Sequence, residues 1–149
     1  MRDLIDLNRR QWNERTQIHV GSEFYDVAGF KSGRCSLHPV ELAELGDVAG
    51  KRLLHLQCHF GMDTLSWARR GAVATGVDFS PESVAVAEGL ALEVGLDAHF
   101  VCSDIYDLPS NLEGKFDIIF TSYGVLTWLP DLRRWAETIS HFLDSPGVF

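Results

Sequence analysis

The chain has 149 residues, 46% hydrophobic and 23% charged, the balance of one ordinary globular domain, which excludes a disordered or fibrous chain. Thirteen Lys and Arg against twenty-one Asp and Glu leave a net charge of −8, so the chain lacks the basic face of a non-specific nucleic-acid binder and the basic stretch that holds a protein on anionic lipid. Cys35, Cys58 and Cys102 cannot all pair and read as reduced thiols of a cytoplasmic protein, no apolar run approaches the ~20 residues needed to span a bilayer, and Asp3 and Asp6 stand where a signal peptide would be apolar.

The first fifty residues form one segment in this reading, a helical lid over residues 1–50, and residues 51–149 form another. Asp3 to Thr16 mixes Leu4, Ile5, Leu7 and Trp12 with polar residues and predicts a helix of moderate periodicity. Phe24, Tyr25 and Phe30 follow among Gly21, Gly29 and Gly33, as an aromatic-bearing loop. Pro39 to Leu45 predicts a short helix, with Pro in its first turn and Gly46 at its end.

From Gly50 strands and helices alternate. Arg52 to Gln57 is a short apolar strand, and Met62 to Arg70 is a helix with Asp63 and Thr64 in its first turn and Gly71 after it. Ala74 to Asp78 is the second strand. Ser80-Pro81-Glu82-Ser83 opens a helix running to Gly95, with a Ser cap and Pro at the first position. Ala98 to Cys102 is the third strand and Phe116 to Ser122 the fourth, the most apolar. Leu132 to Leu143 is an amphipathic helix with Arg133 and Arg134 on its solvated face, Ser145-Pro146-Gly147 a turn, and Val148-Phe149 the first step of a fifth strand. This alternation predicts an α/β fold: a parallel sheet with helices on both faces, built by right-handed crossovers. Ligands of such sheets bind at the carboxyl ends of the strands.

Those ends carry the informative residues. Gln57-Cys58-His59-Phe60-Gly61 joins the first strand to a helix, a junction that aims backbone N–H groups at an anion. Asp78 ends the second strand, where a carboxylate can accept from both ribose hydroxyls, and Phe79 follows it. Ser103-Asp104-Ile105 follows the third strand: a carboxylate for an exocyclic amine and an apolar side chain for a base. Ser122-Tyr123-Gly124 follows the fourth. A nicotinamide-dinucleotide fingerprint would need glycine at positions 57, 59 and 62, which hold Gln57, His59 and Met62.

Leu54 to Gly61, Gly76-Val77-Asp78-Phe79-Ser80, Ser103-Asp104-Ile105, Phe116 to Phe120 and Leu143 to Phe149 together resemble the class I S-adenosylmethionine-dependent methyltransferases, of Rossmann-like fold, in order and spacing from Gly50 to Phe149. Gly124 to Leu132 is similar to the small-molecule members, and the Asn/Asp-Pro-Pro-aromatic motif of nucleic-acid amino-methylating relatives is absent. The resemblance implies S-adenosylmethionine as cofactor and methyl transfer to a small-molecule acceptor, with no nucleic-acid or membrane partner. It implies that Gly61 and the backbone around Gln57, Cys58 and His59 approach the methionyl part and that Asp78 binds the ribose. Phe79, with Ser80 beside it, would flank the adenine, Asp104 and Ile105 would hold the adenine edge and face, and Ser122 and Tyr123 would line the methionine side. Tyr25, with Trp12 and Phe24, stands where such proteins carry a lid.

The chain departs from the family twice. Its first motif carries His55 in place of the acid, and Gln57 and His59 in place of two glycines; Gln57 or His59 would then donate hydrogen bonds directly. The family sheet also continues beyond a fifth strand, so the carboxyl-terminal strands are expected to be missing and the fourth strand to be an open edge, which a homodimer would cover.

Other readings compete for the same residues. His55, Cys58 and His59 invite a metal, but no second ligand cluster has recognisable spacing, and the expected metal is none; His55 reads as a core histidine with one backbone partner and Cys58 as a small buried residue. Trp128 and Trp135 read as packing residues rather than substrate stackers. His19, His38 and His59 are candidate bases, none placed beside a substrate by sequence, so the catalytic residue is left unassigned. A non-catalytic cofactor- or partner-binding relative is the alternative function, and another Rossmann-like nucleotide binder a third.

Overall fold

The computed structural model describes residues 2–149. Five parallel strands form one sheet, β1 (Arg52–Leu56), β2 (Val73–Asp78), β3 (His99–Cys102), β4 (Phe116–Thr121) and β5 (Leu143–Val148), in the spatial order β3-β2-β1-β4-β5. The helices are α1 (Arg2–Val20), α2 (Val27–Lys31), α3 (Pro39–Leu45), α4 (Met62–Arg69), α5 (Pro81–Val94) and α6 (Leu132–Phe142). No helix is long and apolar enough to cross a membrane among the described residues.

The central strand β1 is apolar on both faces, as a strand covered on two sides must be. Leu53 packs with Trp67, Val48 and Ile118 on one face, and Leu54 and Leu56 pack with Ile119, Ile139 and Phe142 on the other. Burying each such side chain contributes about 1.5–3 kcal/mol. The amphipathic pattern of α6 buries Trp135, Thr138, Ile139 and Phe142, one turn apart, against the second face. A third cluster joins α4 and α5 through Leu65, Ala87 and Leu90 to Phe60 and Phe100, and takes in Phe30.

Local chemistry sets the helix starts. Ser80 Oγ accepts from Ser83 N–H to cap α5, with Pro81 following, and Asp131 accepts from Arg134 N–H to cap α6. The first helix runs four residues beyond Thr16, to Val20, and a short helix, α2, occupies part of the expected aromatic loop. Phe30 anchors α2 because its ring is fully buried, under the Arg69 guanidinium at 4.0 Å.

The sheet edge corrects one expectation. β4 is not open: β5 pairs with it in parallel, Phe116 opposite Leu143 and Ile118 opposite Val148, with a register shift between. Ser145-Pro146-Gly147 is that irregularity inside β5 rather than a turn ahead of it. An edge strand tolerates a proline because one side of its backbone needs no ladder partner. The premise for a dimer covering β4 is thereby removed.

Candidate functional site

The turn after β1 is built on positive backbone angles: φ is 52° at Gln57, 53° at His59 and 79° at Gly61. Only Gly61 must be glycine. A Cβ there would lie 2.7 Å from the Phe100 ring and 2.9 Å from Ala87 Cβ. At Gln57 and His59 the side chains have somewhere to go, so the chain bears the left-handed conformation at non-glycine residues, at a cost of order 1–3 kcal/mol each.

The sequence predicts free backbone N–H groups at this junction, and the structure commits three of them. Cys58 N–H donates to Val77 O at 2.8 Å, Gly61 N–H to Cys58 O at 3.0 Å, and His59 N–H to Asp78 Oδ2 at 2.8 Å. The other carboxylate oxygen, Asp78 Oδ1, accepts from Ser80 N–H at 2.9 Å. Asp78 thus ties the β1 turn to the start of α5 while lining the cavity. Burial pushes its carboxyl up to about 6, against the lowering effect of the backbone N–H bonds.

A cavity of about 410 Å³ lies over the carboxyl ends of the strands, within the size range of small-molecule sites. Eleven of the twelve sequence-predicted residues line it: Gln57, Cys58, His59 and Gly61 after β1, Asp78 and Phe79 after β2, Asp104 and Ile105 after β3, Ser122 and Tyr123 after β4, and Tyr25 from the N-terminal segment. Ser80 does not. It is fully buried, its hydroxyl donating to Asn13 Oδ1 and accepting from Ser83 N–H, so it is a cap and an α1 contact rather than a ligand group. Asp104 accepts from Tyr106 N–H at 2.9 Å, and burial raises its carboxyl.

Gln57 is the anomaly of the site. Both amide atoms, Nε2 and Oε1, are buried without a hydrogen-bond partner. An unpaired buried polar group costs about 1–3 kcal/mol, so the Gln57 amide is a local cost to stability beside the cavity.

His55 differs from expectation. It is buried with two side-chain partners and no backbone one: Nδ1 lies 2.8 Å from Thr64 Oγ1 and Nε2 3.3 Å from Ser122 Oγ. Burial holds its pKa down to about 3, so it is neutral. Cys58 is buried and its thiol pushed well up, first by burial. No group of three His, Cys, Asp or Glu stands in position to hold a metal ion among the described residues.

The roof comes from α1. Ile5, Asn8 and Trp12 line the cavity, and Thr16 and His19 continue the same helical face. Thr16 Oγ1 lies 2.7 Å from Ser83 Oγ, which lies 3.2 Å from His59 Nδ1, and His59 Nε2 lies 2.9 Å from His19 Nδ1. Trp12 packs edge-on to His59 at 5.1 Å and to Trp128 at 5.5 Å, with the Arg15 guanidinium 5.1 Å from the Trp128 ring. Trp128 therefore lines the cavity, whereas Trp135 is core, as expected. The sequence hid this α1 face because polar Asn8, Thr16 and His19 interrupt its apolar period; a count of 3–4 spacing over all residue types would have found it. Arg134, expected on a purely solvated face, lies over the Tyr106 ring at 4.8 Å.

Comparison with known proteins agrees with this geometry. Residues 53–147 match the family model of the methyltransferase domain. The ubiquinone biosynthesis O-methyltransferase of Cronobacter sakazakii is 28% identical over 132 residues, covering 86% of this chain and 54% of that protein. Its Chromobacterium violaceum counterpart is 36% identical over 100 residues, covering 67% and 43%. A solved S-adenosylmethionine-dependent methyltransferase from Clostridium acetobutylicum superposes with a TM-score of 0.63 at 25% identity, covering 72% of this chain and 44% of that one. The chain spans about half the length of the curated relatives it matches. It belongs to the methyltransferase-domain family, of the class I S-adenosylmethionine-dependent type.

Proposed function

We propose that this methyltransferase-family chain binds S-adenosylmethionine across the carboxyl ends of β3, β2, β1 and β4 and serves methyl transfer to a small-molecule acceptor under the α1 roof. One observation carries the reading: the side chains along that edge run Asp104, Asp78, Gln57 and Ser122 in strand order, in one cavity. The residues fit the cofactor. Asp104 and Ile105 suit an adenine edge and face, and Asp78 keeps lone pairs for ribose hydroxyls, all three in the cavity lining.

When bound, the cofactor supplies a methyl group on positively charged sulfur, already electrophilic. The chain then has to hold an acceptor in line and exclude water. Trp12, Tyr25 and Trp128 supply apolar cover for that purpose. A base is needed only where the acceptor must lose a proton. His55 and His59 are held neutral with pKa about 3, too weak for that task, and His19 does not line the cavity and is paired with His59, which leaves His38, on the cavity wall with its ring 5.1 Å from Tyr123. The ubiquinone-pathway relatives make a hydroxyl acceptor the first class to screen.

The test is a calorimetric titration with S-adenosylmethionine and S-adenosylhomocysteine, with tryptophan fluorescence as a second readout because Trp12 and Trp128 line the cavity. Saturable binding, weakened in Asp78→Ala, supports the reading. A folded chain that binds neither ligand would sink it. Binding without turnover of any acceptor would favour a non-catalytic binding module.

A further inference from the structure

We infer that the methyl acceptor carries a cationic nitrogen group, and that Asp63 holds this group at the His38 and Tyr123 end of the cavity. The inference rests on the methyl-transfer reading above and deepens it by naming the acceptor's chemistry.

Asp63 stands in the first turn of α4 and lines the cavity. Ser36 fixes its orientation. Ser36 N–H donates to the buried Ser66 Oγ at 3.1 Å, and Ser36 Oγ donates to Asp63 Oδ1 at 2.6 Å. The bond that holds the carboxylate thus comes from a neutral hydroxyl. Its other oxygen, Oδ2, has no hydrogen-bond partner among the described residues and is not closed off from the cavity. No Lys or Arg forms an ion pair with Asp63 among the described residues. Arg34 also lines the cavity, but its guanidinium is engaged, with Nε 2.9 Å from Asp26 Oδ2 and Nη2 donating to Tyr25 O at 2.7 Å. Burial raises the Asp63 carboxyl, against the Ser36 bond; Glu41 adds to the rise and His38 opposes it. A bound cation would offset that burial.

The surroundings suit a cation rather than a neutral or anionic group. Tyr25 and Tyr123 line the same end of the cavity, and Tyr123 packs edge-on to His38 at 5.1 Å. The Asp63 charge reaches both tyrosines: burial and then Asp63 raise the Tyr25 hydroxyl, and burial, Glu41 and Asp63 raise that of Tyr123. Ring faces attract a cation as the carboxylate does, and a hydrogen bond between charged partners is the stronger kind. An anionic acceptor would meet Asp63 as a like charge. A neutral one would leave Oδ2 without a charged donor once water is excluded. The cationic nitrogen is the handle, and the nucleophile is whichever atom faces the methyl group, so a hydroxyl acceptor bearing such a nitrogen satisfies both readings.

The experiment titrates three probes of similar shape by calorimetry into the chain saturated with S-adenosylhomocysteine: phenethylamine, which is cationic, 2-phenylethanol, which is neutral, and 3-phenylpropionate, which is anionic. The same titrations are run on Asp63→Asn, which keeps an acceptor for the Ser36 hydroxyl, with folding checked by circular dichroism. In the wild-type chain phenethylamine should bind about 10–100-fold more tightly than 2-phenylethanol, and 3-phenylpropionate should bind most weakly. Asp63→Asn should lose about 10–100-fold in phenethylamine affinity while 2-phenylethanol and S-adenosylhomocysteine stay within about twofold of wild type. Equal affinities for amine and alcohol, or no binding of phenethylamine, would overturn the inference. So would a preference for the amine that survives in Asp63→Asn. A loss of S-adenosylhomocysteine affinity as large as that of phenethylamine would overturn it too, because Asp63 would then serve the cofactor. A folded wild-type chain that binds no S-adenosylhomocysteine would overturn the cofactor reading itself, and with it an acceptor placed beside that cofactor.

Discussion

His19 Nδ1 and His59 Nε2 lie 2.9 Å apart, so the last turn of α1 is fastened to the turn after β1 by a bond that needs one ring to donate and the other to accept. Both rings are kept neutral. Burial lowers His59 to about 3, with the neighbouring His19 adding to the effect, and burial and Arg15 lower His19. The roof of the cavity is thereby tied to protonation state.

Stability should fall as the solution is acidified below about pH 6.5. His55 and His59 both have folded pKa values of about 3, so the unfolded chain binds more protons between pH 6.5 and 3. Their stabilisation is complete above 6.5 and is lost as pH falls, by about 1.4 kcal/mol per pH unit for each group. Asp78 acts in the opposite sense: its folded pKa of about 6 is raised, so its contribution is lost as pH rises through that value, and acidification recovers part of it. Two histidines with larger shifts outweigh one aspartate. Thermal denaturation should show a Tm several degrees lower at pH 5 than at pH 7, with a shallower slope in His59→Gln. A flat profile would show that these rings do not titrate as their burial demands.

Asp78→Ala should lower both stability and affinity. It strands the N–H groups of His59 and Ser80, which the carboxylate now satisfies, at about 1–3 kcal/mol for each group left buried and unpaired. Relief of a buried charge offsets part of that. Denaturant unfolding should place the midpoint below wild type, and S-adenosylhomocysteine titration should show at least a tenfold loss. A variant as stable as wild type would mean that the turn holds without this bridge.

Gly61→Ala should be more damaging than a surface change. The added Cβ meets the Phe100 ring at 2.7 Å, and φ of 79° is unfavourable for alanine. Overpacking and backbone strain together predict a loss of about 2–4 kcal/mol, measurable as a lower Tm with the circular dichroism spectrum retained. Gly33→Ala has open space around its Cβ position; its positive φ alone predicts a smaller loss.

The three thiols should separate by accessibility. Cys35 and Cys102 are exposed and Cys58 is buried. Burial and Asp78 raise the Cys102 thiol, and burial raises Cys58 further. Alkylation followed by mass spectrometry should modify Cys35 and Cys102 in the folded chain and Cys58 only on unfolding. Early labelling of Cys58 would indicate that the β1 turn opens in solution.

The sequence by itself determined the alternation of strands and helices and the places where function gathers. Capping residues such as Ser80 with Pro81, and glycines such as Gly46 and Gly95, mark their helix ends locally. The carboxyl ends of parallel strands must face one side, so Gln57, Asp78, Asp104 and Ser122 could be nominated without coordinates. Tertiary structure alone decided which hydrogen-bonding groups in that site are already spent. That depends on neighbours far apart in the chain: Asp78 takes the N–H of His59, nineteen residues away, and His59 reaches His19, forty residues away. The same holds for β5, whose pairing with β4 overrides the turn chemistry of Ser145-Pro146-Gly147. Local sequence states what a backbone segment prefers. Which donors remain free, and which strand edge is covered, are properties of pairs that only the folded chain brings together.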